Sequence, residues 1–253
     1  MCTLILLYKL LNDYPIVALH NRYLNKDTRE SPPNKINRII CPIDIASGGT
    51  WFGFNENGLL LGITNQETNK IETPVRSRGL LALDILNKYS DSREAKDFLL
   101  KPDTRRPYRK GNFLLVEKKE GWHILWDKET YIYPLENGCY PIATLTKLPN
   151  TQLDANREKI YQDATKRINR ANSLLDGYNP SDIDDLINQL MQVSADHGFG
   201  KSQASICWHS KKYRQTSSTI IAIGNNVEKS KIFYCEGNAC ENEFIDYSKI
   251  LGN

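Results

Sequence analysis

The sequence predicts an α+β protein in which two sheets pack face to face and helices cover them. Three observations carry that prediction. Several strands are apolar on both faces, as buried sheets require. The helical segments come in clusters rather than alternating singly with strands. The 253 residues show no internal repeat, no low-complexity segment and no linker, so residues 1–253 read as one domain large enough for a sizeable core.

The elements follow in order. Cys2–Leu7 is apolar on both its even face (Cys2, Leu4, Leu6) and its odd face (Thr3, Ile5, Leu7), hence a strand buried on both sides. Asn12–Pro15 is a turn and Ile16–Asn21 the returning strand. A polar, proline-containing loop, KDTRESPPNK, follows. Gly48–Asn65 (GGTWFGFNENGLLLGITN) reads as a hairpin that turns at Asn57-Gly58. Ala82, Ile85, Leu86 and Tyr89 fall at i, i+3, i+4 and i+7, which makes one helical stripe. SREAKDFLL is a second, short helix. Asn112–Val116, His123–Trp126 and Thr130–Tyr133 read as strands. Asp154–Leu175 is polar and reads as an exposed helix. In NPSDIDDLINQL, Ser181 is the expected N-cap and Asp184 the capping-box acid, with Ile183, Leu186, Ile187 and Leu190 buried. Strands return at Gln203–Cys207, Ser218–Ile223 and Lys231–Tyr234.

Composition excludes some functions. Thirty-three basic residues nearly balance thirty acidic ones, so charge gives no sign of nucleic-acid binding. The longest apolar run, Leu4–Leu7, is too short for a membrane span or a signal peptide. The expected location is the cytoplasm, where the six cysteines stay mostly reduced. Cys235 and Cys240, with four residues between them, are a weak metal signal and read as structural.

The chemistry centres on the second residue. A methionine before a small residue is a good substrate for initiator-methionine removal, which would give Cys2 both a thiol and an α-amine. That amine titrates near neutrality and can take the thiol proton and later protonate a leaving amine. Such a site also needs a cation for the thiolate and a polar donor for the oxyanion, roles suited to Arg and Asn. Arg22 ends a strand that is otherwise apolar, so its charge must be paired or line a cavity. Asn65 either lines the same pocket or simply ends the hairpin strand. His20 shares the parity of Arg22 but, with no second ligand in view, reads as a core or surface residue. Cys207 and His209 also share strand parity, which fits either a metal or haem ligand pair or two ordinary strand residues. His197 reads as a loop residue, and Gly49 and Trp51 as hairpin packing. The basic stretches Lys101–Lys110 and His209–Arg214 are solvated loops or a patch for an anionic ligand.

The Met-Cys start, ALHNRYL (Ala18–Leu24), the Gly48–Asn65 hairpin, RSRG (Arg76–Gly79), GNFLLVE (Gly111–Glu117) and SICWHSKKYRQTSSTIIAI (Ser205–Ile223) occur in one order. Together they resemble the transport-and-Golgi-organisation-2 (NRDE) family, itself similar to N-terminal-nucleophile hydrolases of the bile-salt hydrolase and penicillin V acylase type. The resemblance implies a four-layer αββα sandwich with Cys2 as nucleophile at a pocket mouth. It also implies Arg22 and Asn65 as catalytic residues and Asn21 and Tyr23 as pocket residues, with Tyr23-Leu24 standing where the family has Asp-Glu. Thr144, in YPIATL, stands where the family places a further asparagine. Thr216 stands at an arginine position, for which Arg214 on the same strand face compensates. The implied activity is hydrolysis of a non-peptide amide by a site with altered partners. The alternative is a non-catalytic carrier of haem or of a lipid or acyl-CoA ligand in the same pocket. No cofactor is expected beyond haem as cargo, and no oligomeric state is implied.

Overall fold

The computed structural model describes residues 2–66, 76–149 and 151–252. Among the described residues, thirteen strands form two antiparallel sheets. The first has the order β10-β1-β2-β11-β12-β13 and the second β3-β4-β5-β6-β7-β8-β9. In the first sheet, β1 is Cys2–Tyr8, β2 Ile16–Asn25, β10 Gly138–Ala143, β11 Tyr213–Ile223, β12 Lys231–Glu236 and β13 Ile245–Asp246. The second holds β3 Glu30–Ile36, β4 Ile39–Asp44, β5 Phe52–Asn55, β6 Leu60–Asn65, β7 Gly111–Val116, β8 Gly121–Trp126 and β9 Thr130–Pro134. The helices are α1 Arg78–Lys88, α2 Ser92–Leu100, α3 Pro102–Arg105, α4 Ala155–Leu175 and α5 Ile183–Ser194.

Three apolar clusters stack these elements into four layers. Leu4, Leu6, Ile16 and Ala18 of the first sheet meet Phe52, Phe54, Leu60 and Leu114 of the second. Ile5, Leu7, Val17 and Leu19, the opposite parity of the same strands, pack under Ala171 and Leu175 of α4 and Leu186 and Leu190 of α5. Leu81, Ile85 and Leu86 of α1 and Leu99 of α2 cover Leu61, Phe113 and Trp126 on the far side of the second sheet. Strands β1 and β2 are apolar all round because both of their faces are interior. The αββα order implied by the resemblance is the order found.

Most elements lie where the sequence places them. β3, however, runs through the stretch read as a polar loop. Its two prolines are tolerated because it is an edge strand whose register shifts between Ser31 and Asn34. β4 and β10 were also unmarked, each being short and carrying a proline. Gln203–Cys207 is not a strand but a run of turns, and β11 begins only at Tyr213. Helix α5 is capped by Asp182, whose carboxylate accepts from the Asp185 amide, not by Ser181. Helix α4 begins as expected after Asp154, but it is not merely exposed. Asp163, Ala164, Arg167 and Ala171 are buried against the sheet.

The GGTW and RSRG motifs meet backbone to backbone. Ser77 caps α1 by accepting from the Gly79 amide, and Gly79 O accepts from Thr50 N at 3.1 Å. A Cβ on Gly49 would stand 2.5 Å from the Gly79 carbonyl carbon, a contact that only movement of the backbone could relieve. Gly49→Ala is therefore expected to cost about 1–3 kcal/mol and to lower Tm by roughly 2–10 °C in a thermal melt.

Candidate functional site

The register of the first hairpin builds the site. Cys2 pairs with Arg22, and Leu4 with His20. Paired residues share a face, so Cys2, His20 and Arg22 all point between the sheets. There the end of β1 opens on a cleft of about 340 Å³, lined by Cys2, Arg22, Asp44, Trp51, Asn65 and a rim of Arg76, Arg78 and Arg109.

Arg22 is held on several sides. Its Nη1 lies 2.9 Å from Glu30 Oε1 and its Nη2 2.5 Å from Asp44 Oδ2. The guanidinium stacks 3.7 Å from the centre of the Trp51 ring. Burial alone would raise the Asp44 carboxyl, but hydrogen bonds from Arg22 and Ser47 and the Arg22 charge hold it below the usual carboxylate range. This pairing satisfies the requirement that a cation ending an apolar strand must meet.

The Cys2 thiol is buried. Burial opposes ionisation, but His20 above all, by its charge and a hydrogen bond, and Arg22 less so, favour the thiolate, and the thiol comes down from 9.0 to about 6. His20 was read from sequence as a core residue. It is buried, yet it borders the nucleophile. Its Nε2 is 3.0 Å from the Ile63 carbonyl, which can only accept, so Nε2 carries a hydrogen. Nδ1, the ring's other nitrogen, has no nitrogen or oxygen partner among the described residues. The parity of His20 with Arg22 was the available signal; the nearness of Cys2 follows from β1–β2 pairing, which parity does not give.

Thr144 accepts a 2.7 Å hydrogen bond from Cys2 N, and its own amide donates to Cys2 O at 3.0 Å. It thus binds the Cys2 backbone rather than standing across the cleft as a substrate contact. Asn65 lines the cleft, and its Oδ1 accepts from Arg78 Nη2 at 2.5 Å. Because arginine only donates, the Asn65 oxygen must face Arg78, and Nδ2 forms the other end of the amide.

Four expected site residues, Asn21, Tyr23, Thr216 and Arg214, lie elsewhere. Asn21 and Tyr23 have the parity opposite to Arg22 and face the helices. Asn21 donates to Ser194 O and Ile206 O and accepts from Ser194 and Ser218 hydroxyls. The buried Tyr23 hydroxyl donates to Ile206 O at 2.5 Å. Neither lines the cleft, so both are corrected from substrate contacts to supports of β2. Thr216 donates to Glu30 Oε1 at 2.6 Å. Thr216 and Arg214 do share a pocket, but a separate one that includes Lys26, Glu30 and Glu236. A register shift between Gln215 and Ser217 sets Ser217, not Thr216, opposite Arg22. Arg214 is exposed and stays outside the cleft, so it does not supply the missing arginine beside Cys2.

Sequence reasoning missed Glu30 and Asp44, which lie in segments read as loop or left unassigned. It quoted Arg76 and Arg78 only as part of a motif. It also missed Arg167. This buried side chain reaches under β1 to donate from Nε to Thr3 Oγ1 at 3.1 Å and from Nη1 to Gln203 O, bracing the strand from behind. Met1 lies outside the described residues.

The family model described as Transport and Golgi organisation 2 matches residues 1–236. No curated protein matches the chain. Among solved structures, the chain is similar to a penicillin V acylase from Agrobacterium tumefaciens, with a TM-score of 0.59 at 11% identity over 98% of this chain and 87% of that one. It is also similar to a Caenorhabditis elegans ortholog of N-acylethanolamine-hydrolyzing acid amidase (TM-score 0.56, 12% identity, 87% of this chain and 92% of that). A mutant conjugated bile acid hydrolase from Clostridium perfringens gives a TM-score of 0.55 at 12% identity over 98% and 96% of the two chains. At these identities the likeness establishes the N-terminal-nucleophile hydrolase fold. No helix among the described residues is long and apolar enough to cross a membrane.

Alkylation by iodoacetamide tests the thiol directly. Labelling of Cys2, followed by peptide mass mapping, is expected to rise with pH through a midpoint near 6. Cys41, which burial pushes up to about 11, should stay unlabelled at neutral pH. His20→Gln removes the neighbouring imidazole and should move the Cys2 midpoint upward; an unmoved midpoint would show that His20 does not act on the thiol.

Proposed function

The chain belongs to the Transport and Golgi organisation 2 family, and from that premise we propose that it is an N-terminal cysteine hydrolase acting on a non-peptide amide with an anionic group. The observation that carries this reading is the Cys2 thiol at the end of β1, which burial raises but His20 above all brings down to about 6, facing a cleft rimmed by arginines. A thiolate at neutral pH is the attacking species that acyl transfer needs.

The steps follow from the positions. Removal of Met1 turns Cys2 N into an α-amine held by Thr144 Oγ1. The Cys2 sulfur attacks the amide carbonyl, and Asn65 Nδ2 donates to the oxygen that becomes negative. The α-amine, or His20 Nδ1, carries the proton to the departing amine. Water then attacks the thioester, and the carboxylate product leaves. Arg22 acts electrostatically, its carboxylate partners keeping it rigid. Thr144 is a positioning residue: it gives the amine one acceptor in a family site where Asp-Glu is replaced by Tyr23-Leu24. Arg76, Arg78 and Arg109 suit a carboxylate, phosphate or sulfonate on the substrate. A cytoplasmic place of action, where Cys2 stays reduced, belongs to the same proposal.

The same cleft supports a second reading, a carrier of haem or of a lipid-like acid that does not cut. What favours it is the engagement of Arg22 by two carboxylates, which leaves less of its charge for a thiolate. Titration with haem, read at the Soret band, separates the two. The hydrolase reading expects no saturable shift, and the carrier reading expects one that weakens in Arg78→Ala.

Turnover of small N-acyl amides bearing an anionic group should fall about 10³-fold or more in Cys2→Ala. In Thr144→Val, which keeps shape but deletes the acceptor, kcat should fall about 10–10²-fold with KM little changed. Undiminished turnover in Cys2→Ala would overturn the mechanism.

A further inference from the structure

On the opposite side of the first sheet from the cleft, four side chains from three separate segments converge. They are His197 from the turn after α5, Cys207 and His209 from the irregular run before β11, and Cys240 from the turn after β12. One ligand atom from each lies within 4.8 Å of every other. The Nε2 atoms of His197 and His209 are 3.1 Å apart. Cys207 Sγ is 3.6 Å from Cys240 Sγ, and His209 Nε2 is 3.5 Å from Cys207 Sγ and 3.2 Å from Cys240 Sγ.

Those separations match the edges of a coordination tetrahedron. Metal–sulfur bonds of about 2.3 Å and metal–nitrogen bonds of about 2.0–2.1 Å imply edges of about 3.8 Å for S–S, about 3.6 Å for S–N and about 3.3 Å for N–N. Hydrogen bonding explains the cluster poorly. His209 Nε2 cannot bond to three acceptors or donors at once, and two imidazole nitrogens that meet edge on need one proton between them. From this geometry we propose that His197, Cys207, His209 and Cys240 bind one zinc ion in a closed, four-coordinate structural site.

The surroundings fit a zinc site's outer shell. The buried Asn238 points its Nδ2 at Cys207 Sγ, 3.6 Å away, while also donating to Trp208 O at 2.9 Å. Glu241 Oε1 is 3.6 Å from His209 Nδ1, the nitrogen opposite the ligating one. A carboxylate on that side favours a hydrogen on Nδ1 and leaves Nε2 for the metal. Two thiolates and two imidazoles favour zinc over magnesium or calcium. Binding converts the two thiols to thiolates and releases two protons to solvent, with no change of oxidation state. Zinc here would tie an irregular run to the C-terminal turn. That run carries Ile206, whose carbonyl accepts from Tyr23, and Trp208, whose ring lies 5.9 Å from Tyr23's. The metal would therefore hold the outer support of β2.

The test uses the full chain purified under reducing conditions. Elemental analysis should find one zinc per chain. Cobalt substitution should give the intense visible bands of tetrahedral Co²⁺ with thiolate charge transfer, and a chelator should lower Tm. Cys240→Ser, at an exposed position, should fold yet bind zinc at least about 10²-fold more weakly. Cys139→Ser, a cysteine outside the cluster, should keep the full stoichiometry. Absence of zinc together with an octahedral cobalt spectrum would overturn the proposal. So would a Cys240→Ser variant that binds as tightly as the parent, or a Cys207–Cys240 disulfide found in the reduced preparation.

Discussion

The pairing of Cys2 with Arg22 across the first hairpin is the constraint from which the rest of the site follows. Side chains alternate on a strand with period two, so a slip of one residue between β1 and β2 would put the thiol and Arg22 on opposite faces and turn one of them out of the cleft. The register is pinned from both faces. Inside, Arg22 meets Glu30 and Asp44, and a buried cation that lost such partners would cost about 3–5 kcal/mol. Outside, Asn21, Tyr23 and Arg167 spend their hydrogen bonds on Ser194, Ile206, Gln203 and Thr3. Several polar residues that look like site residues in the sequence are thus what keeps the site in place.

This division of labour explains how a fold shared with amide hydrolases can carry altered partners. The Cys2 backbone nitrogen donates to the Thr144 hydroxyl, at a site where Tyr23-Leu24 stands in place of Asp-Glu. The thiol has His20 on the same face and opens on a cleft with a cationic rim. Arg22, by contrast, is committed to two carboxylates, which makes it a rigid electrostatic element rather than a mobile ligand for substrate. The zinc cluster belongs to the same design on the other face: it steadies the irregular run that receives the Tyr23 hydroxyl.

Much of this was legible in the sequence where the signal was periodic or local. The double-faced apolar strands β1 and β2 follow from their composition, and α1 from its stripe. The Gly48–Asn65 hairpin follows from its turn, where Gly58 takes a left-handed φ of 78°. Cys2, Arg22 and Asn65 converge as the family resemblance implies. What was not legible depends on pairing across distance. β3 hides its edge-strand role behind two prolines. Arg214 misleads because a bulge at Gln215–Ser217, invisible in composition, reassigns the position opposite Arg22. The Cys207 and His209 parity argument assumed a strand, and the two residues are brought together by turns instead. His197 and Cys240 join them from 10 residues before Cys207 and 33 after it, a spacing that no local pattern announces.

The central claim is that Cys2 works as a processed N-terminal nucleophile. The most direct measurement is the intact mass of the purified protein before and after reaction with an aldehyde that condenses only with a terminal 1,2-aminothiol. The account predicts a chain lacking the initiator methionine that gains one thiazolidine adduct. A chain that retains Met1 and forms no adduct would contradict it.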